Sequence, residues 1–174
     1  MRSRGAPSKF LFRVYNILSH EKEAEKILFE NSDFLILPDF KWDLIDLNTL
    51  YLQAIPFDKS IRSLRDIRGS HLAMLKDIRR ESARIVKAKW GIDQGGLRLY
   101  VHYQPGYCEW ITAPSVEIPE LVHLDHFHVH IVQVNYIGFA GMNVGQAHLL
   151  DDIIALVSPF ETTVSLPSIT TLAA

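Results

Sequence analysis

The segment His126-Phe127-His128-Val129-His130 sets three histidines two residues apart, with apolar Phe127 and Val129 between them. Successive side chains of a β-strand point to opposite faces, so a strand here lines up three imidazoles on one face and anchors itself through the other. Two chemistries suit such a row. A neutral imidazole nitrogen is a nucleophile near neutral pH and can accept a phosphoryl group, forming a phosphoramidate that water later cleaves. Its neighbours would then orient it and hydrogen-bond the phosphate oxygens. Alternatively, a His-x-His pair holds zinc when a further ligand completes the set. Surface histidines without a task are the third option, and three of them on one face of a hydrophobic run make a poor case for it.

His102 strengthens the phosphoryl option. In the run Leu97 to Tyr103, Leu97, Leu99, Val101 and Tyr103 alternate with Arg98, Tyr100 and His102. That strand is the natural hairpin partner of the histidine strand, so His102 and His128 are expected on the same sheet face. His20, His71, His123 and His148 lack such company and read as structural or solvent-facing.

Other elements must position this hairpin. Phe34-Leu35-Ile36-Leu37, ended by Pro38, suits a buried strand, and Leu50 to Ile55 a second one, also closed by a proline. Ser70 is placed to cap a long helix running to about Trp90. Its stripe of Leu72, Leu75, Ile78, Ile85 and Val86 lies mostly apart from Lys76, Arg80, Arg84 and Lys87, and Gly91 follows as a stop. Tyr15 to Leu18 reads as a short strand, Glu21 to Asn31 as a short amphipathic helix, and Gln146 to Val157 as a last helix. The order predicts an α+β domain with an antiparallel sheet, a long helix and a C-terminal helix. It would span residues 10–157, between a disordered arm at 1–9 and a loose Thr/Ser/Pro-rich tail at 158–174.

Bulk properties fit one such domain. The chain has 174 residues, 48% hydrophobic and 22% charged, with a net charge of -2. No global basic field favours long nucleic acid, although a small phosphorylated ligand needs only a local set of donors. Cys108 is the single cysteine, which rules out an internal disulfide or a Cys-rich zinc site and suits a reducing compartment. No apolar run approaches the ~20 residues that span a bilayer, so no membrane partner is expected. The first twenty residues hold Arg2, Arg4, Lys9 and Arg13 without an acid, compatible with a leader or a trimmed arm.

The motif His-Phe-His-Val-His-Ile resembles the signature of the histidine-triad superfamily. Further stretches narrow the likeness: Val14-Tyr15-Asn16-Ile17-Leu18, Glu23 to Glu30, Leu37-Pro38-Asp39-Phe40-Lys41-Trp42, Leu50 to Ile55, Ile61 to Asp66, Leu99-Tyr100-Val101-His102-Tyr103 and Ala147-His148-Leu149-Leu150. Together they resemble the C-terminal domain of the scavenger mRNA-decapping enzyme family, over roughly residues 10–157 apart from one insertion.

The resemblance implies a fold and a reaction. The fold is the antiparallel sheet of histidine-triad proteins. The reaction cleaves cap dinucleotides or short capped RNA to 7-methylguanosine monophosphate and a nucleoside diphosphate, with no metal or other cofactor. His128 matches the nucleophile, His126 and His130 its flanking partners, and His102 a phosphate-side histidine. Glu23 matches the acid that reads the methylated guanine edge, where a carboxylate can accept from base N–H groups. Asp39, Lys41 and Tyr107 match ligand-contacting positions, and Lys41 would offer charge to the triphosphate. The resemblance also implies a homodimer, in the cytoplasm with the nucleus as a second location.

Departures are equally specific. Arg13 stands where the family stacks a tryptophan on the methylated base, and Gly106 and Gln146 replace a serine and an arginine near the phosphates. About seventeen residues, Cys108 to Leu124, intervene where the family has a tight turn. A long loop closes at modest entropic cost. The family's N-terminal domain, which closes over the cap, is expected to be absent. A cap-binding regulator without turnover, or a histidine-triad nucleotide hydrolase without cap preference, therefore stays open beside the decapping enzyme.

Overall fold

A computed structural model describes residues 9–103, 126–136, 138, 142 and 147–160. Helix α1 spans Lys9–Leu18, strands β1 Phe29–Glu30, β2 Phe34–Pro38 and β3 Tyr51–Pro56, helix α2 Leu72–Trp90, strands β4 Leu97–His102, β5 Val129–Gln133 and β6 Ala147–Leu149, and helix α3 Leu150–Val157. Among the described residues the strands form one antiparallel sheet in the order β1-β2-β3-β5-β4-β6. The expected α+β architecture, with its long helix and C-terminal helix, is what the chain adopts.

Alternation sorts the two faces. Phe34, Ile36, Leu52, Ala54, Val129 and Ile131 join the core that α2 covers with Leu72, Leu75, Ile78, Ile85 and Val86. Burying each such side chain contributes about 2 kcal/mol, which holds the long helix on the sheet. Leu35, Leu37 and Ile55 point the other way and meet Val14, Ile17 and Leu18 of α1. Two and four residues back from Ile55 on that same face come Gln53 and Tyr51. Gln53 pairs with His130, and His130 pairs in turn with Tyr100. The polar row therefore begins where the α1 contact ends.

Several local expectations are corrected. Tyr15 to Leu18 is the last part of α1, not a strand. Four residues are too short a window to reveal a helical period, whereas Val14, Ile17 and Leu18 at helical spacing are all buried against the sheet. Glu21 to Asn31 is not a helix. His20 and Glu23 take left-handed backbone with φ of 60° and 58°, and only a single 3-10 turn, Ala24–Lys26, precedes β1. Lys9, placed in the arm, already belongs to α1. Ser70 lies inside a 3-10 turn, Gly69–His71, and His71 rather than Ser70 takes the N-cap position of α2. At the other end Gly91 closes α2 as expected, in left-handed backbone at φ 73° with its N–H on Lys87 O. The last segment divides into β6 and α3, because Ala147–Leu149 pairs with β4 before the helix starts.

Candidate active site

β5 proper begins at Val129, so His126 and His128 lie on the approach to it. The approach is fixed by Phe127, whose N–H donates to Ile61 O at 3.0 Å and whose ring is buried. All three triad imidazoles are buried, between 1% and 5% exposed. Burial in so apolar a setting must be offset by hydrogen bonds, and these bonds fix the tautomers.

His126 Nε2 lies 2.8 Å from the carbonyl of Pro56 at the end of β3. A carbonyl only accepts, so the ring proton sits on Nε2 and Nδ1 is bare; that Nδ1 is buried without a hydrogen-bond partner among the described residues. Its ring meets Tyr15 of α1 edge-on at 6.2 Å. His126 thus ties the triad segment to β3 and α1.

His128 Nδ1 lies 3.0 Å from the carbonyl of His126. By the same logic Nδ1 carries the proton and Nε2 carries the lone pair. His130 Nδ1 lies 2.9 Å from the Tyr51 hydroxyl, and His130 Nε2 is buried with no hydrogen-bond partner among the described residues. The His128 and His130 rings meet at 4.5 Å, nearly perpendicular. His102 reaches His130 at 5.0 Å, so His102, His128 and His130 share one face.

Electrostatics keep these rings neutral. Burial is the main cause holding His128 down at about 4, opposed by its bond to the His126 carbonyl and reinforced by His102, His126 and Lys41. Burial likewise drives His130 well below 6.5, with His128, His102 and Lys41 adding to it. His126 is lowered by burial against the pull of the Pro56 carbonyl. At neutral pH the cluster holds imidazoles with a cation nearby.

Asp39 and Lys41 follow β2 and stand beside this cluster. Asp39 is buried, accepts from the Gln53 side-chain amide and accepts from Lys41 N–H at 2.8 Å. The Lys41 ammonium sits 5.9 Å from the Tyr51 ring centre. Glu23 stands on the turn after α1, ion-paired with Lys26 at 3.4 Å. Tyr107, Gly106, Gln146, His123 and the insertion Cys108 to Leu124 lie outside the described residues, as does the Arg13 side chain. Among the described residues no group of three or more His, Cys, Asp or Glu is placed to hold a metal ion, and no helix is long and apolar enough to cross a membrane.

Reasoning from the sequence missed Tyr51, Gln53 and Tyr100. Tyr100 stacks on His130 at 4.8 Å and 23°, and Tyr51 and Gln53 contact His130 and Asp39. Gln53 left a readable signal, as a polar residue inside the run Leu-Tyr-Leu-Gln-Ala-Ile.

A family model described as scavenger mRNA decapping enzyme C-term binding matches residues 13–110, more than half of the chain. The chain belongs to the scavenger mRNA decapping enzyme family. The m7GpppX diphosphatase of Ascaris suum is 37% identical over 145 residues, 81% of this chain and 42% of that protein. That of Schizosaccharomyces pombe is 36% identical over 145 residues, again 81% of this chain and 42% of that protein. This family member thus spans about two fifths of the length of the curated relatives it matches. A HIT family hydrolase from Legionella pneumophila Philadelphia 1 superposes with a TM-score of 0.49 at 19% identity, over 77% of this chain and 98% of that one. The match to the decapping family model ends at residue 110, ahead of the triad and inside the Cys108 to Leu124 insertion.

Proposed function

We propose that this chain hydrolyses methylated mRNA caps, cleaving a 7-methylguanosine triphosphate-linked dinucleotide or short capped RNA to 7-methylguanosine monophosphate and a nucleoside diphosphate. The observation that carries this is the Nδ1–H of His128 on the His126 carbonyl at 3.0 Å, which leaves a neutral ring with its lone pair on Nε2. That nitrogen attacks the phosphorus next to the methylated nucleoside. The P–O bond toward the second phosphate breaks, and the nucleoside diphosphate leaves with the electron pair. Water then attacks the phosphoramidate, the P–N electrons return to Nε2, and the proton of the water passes to solvent.

Each neighbour has a part in this proposal. His130 and His102 hold the phosphate oxygens, and Lys41 balances the charge of the triphosphate. Asp39, Glu23 and Tyr107 hold the methylated nucleoside, and His126 fixes the approach of the nucleophile. The proposed setting is the cytoplasm and nucleus, consistent with a lone cysteine, and the proposed assembly is a homodimer. Supporting a dimer, among the described residues Leu97–Leu99 of β4 continues beyond the stretch that β6 pairs, an edge of the kind a second chain can cover.

Gly106, Gln146 and Arg13, which stand where the family has a serine, an arginine and a tryptophan, favour a second possibility, cap binding without turnover. Hydrolysis of methylated against unmethylated cap dinucleotide separates the alternatives. Decapping requires turnover with preference for the methylated form. Equal turnover of both indicates a nucleotide hydrolase without cap preference, and binding of the methylated form without hydrolysis indicates a regulator.

A further inference from the structure

We propose that Tyr51 is a positioning residue that selects the tautomer of His130, donating its phenolic proton to Nδ1 so that Nε2–H is presented beside the nucleophile. The phenol oxygen and Nδ1 are 2.9 Å apart, and both side chains are buried, at 2% and 5% exposed. No bulk water competes for either group. The imidazole itself is held on several sides. Tyr100 stacks on its flat face, Tyr51 meets it at 5.6 Å and 62°, and the rings of His128 and His102 stand at 4.5 and 5.0 Å.

The direction of the bond follows from donor and acceptor strengths. A phenol, with a pKa near 10, is a much stronger acid than a neutral imidazole N–H. A bare imidazole nitrogen, whose conjugate acid has a pKa of about 6.5, is a much better acceptor than a phenol oxygen. O–H to N is therefore the favoured sense. The Tyr100 hydroxyl, 3.4 Å from that of Tyr51, can complete the chain by donating to the Tyr51 oxygen. The proton of His130 then resides on Nε2, the atom that is buried without a hydrogen-bond partner among the described residues.

An unmet buried N–H costs about 1–3 kcal/mol and is retained where a ligand satisfies it. On the proposed reaction that ligand is an oxygen of the phosphate under attack by His128. The opposite tautomer would turn a second lone pair toward the same anion. His128 and His130 thus present opposite Nε2 atoms, one bare and one protonated, because one ring is bonded to a carbonyl and the other to a phenol.

The tautomer can be read without any reaction. Long-range nitrogen–proton spectra of wild-type protein at pH 7 are expected to show His130 protonated at Nε2, and Tyr51→Phe is expected to shift it toward Nδ1–H. In cap hydrolysis Tyr51→Phe should lower kcat about tenfold while KM stays within about twofold, since the donor matters most as charge develops. A wild-type His130 protonated at Nδ1, or an unchanged His130 spectrum in Tyr51→Phe, overturns the assignment. Wild-type kcat in a Tyr51→Phe protein with an altered tautomer overturns its catalytic consequence. If the wild type hydrolyses no cap, the proposed function fails while the spectra still decide the role of Tyr51.

Discussion

His128 donates its Nδ1–H to the backbone carbonyl of His126, two residues before it, across 3.0 Å. The bond is local in sequence, so any chain that follows this path into β5 makes it. It does two things at once. It stops the ring from turning, and it leaves Nε2 as the atom without a proton. Burial then keeps that ring uncharged, so in the proposed reaction the nitrogen has no proton to lose before it attacks.

The pH dependence of turnover should reflect this. An ordinary histidine nucleophile would be half protonated near 6.5, whereas burial holds His128 down at about 4. kcat/KM, which reports on the free enzyme, is expected to show its acid limb near pH 4 with no step at 6.5. A halving of kcat/KM near pH 6.5 that disappears in a His128 variant retaining some turnover would contradict a neutral buried nucleophile.

Stability should respond in the same direction. Unfolded, the three triad imidazoles protonate near 6.5; folded, all three resist protonation until lower pH. Below pH 6.5 the unfolded chain binds more protons, so their contribution is fully present above pH 6.5 and is lost as pH falls, for His128 down to about 4. Each contributes a slope of about 1.4 kcal/mol per pH unit within its own window. Urea midpoints are expected to drop clearly from pH 7 to pH 5. Equal midpoints at the two values would show that the rings are not buried neutral.

Gln53 offers a test of the loop that carries Asp39 and Lys41. Its amide donates to the buried Asp39 carboxylate, which also accepts the Lys41 N–H. Gln53→Leu keeps approximate volume and removes a hydrogen bond to a charged group, with an expected loss of about 2 kcal/mol by urea unfolding. It should also raise KM more than it lowers kcat, because the loop is assigned to binding. A variant as stable as wild type would show that the bond does not hold the loop.

Much of this arrangement is legible in the sequence. The His-x-His-x-His spacing, the alternation of Leu97 to Tyr103 and the stripe of α2 each state a period, and each period fixes a face. They place His102 with His128 and His130 correctly. What stays hidden is long-range. Tyr51, Gln53 and Tyr100 reach His130 and Asp39 only through the β3–β5–β4 register, which no local pattern encodes. The division of roles within the triad is hidden for a similar reason. His126 and His128 look equivalent by spacing, but the carbonyl of Pro56, distant in sequence, accepts from Nε2–H of one, while the carbonyl of His126 accepts from Nδ1–H of the other. Glu21 to Asn31 carries an amphipathic pattern, but Glu23 within it takes a left-handed backbone that a helix cannot accommodate.

The most direct test of the central claim is the hydrolysis of a 7-methylguanosine cap dinucleotide by wild type and His128→Asn, with binding of the same dinucleotide measured in parallel. Asparagine keeps approximate size and some hydrogen bonding but removes the attacking nitrogen. Loss of a covalent nucleophile is expected to lower turnover by several orders of magnitude, with Kd changed by less than about threefold. An Asn variant that turns over at close to the wild-type rate would contradict the account.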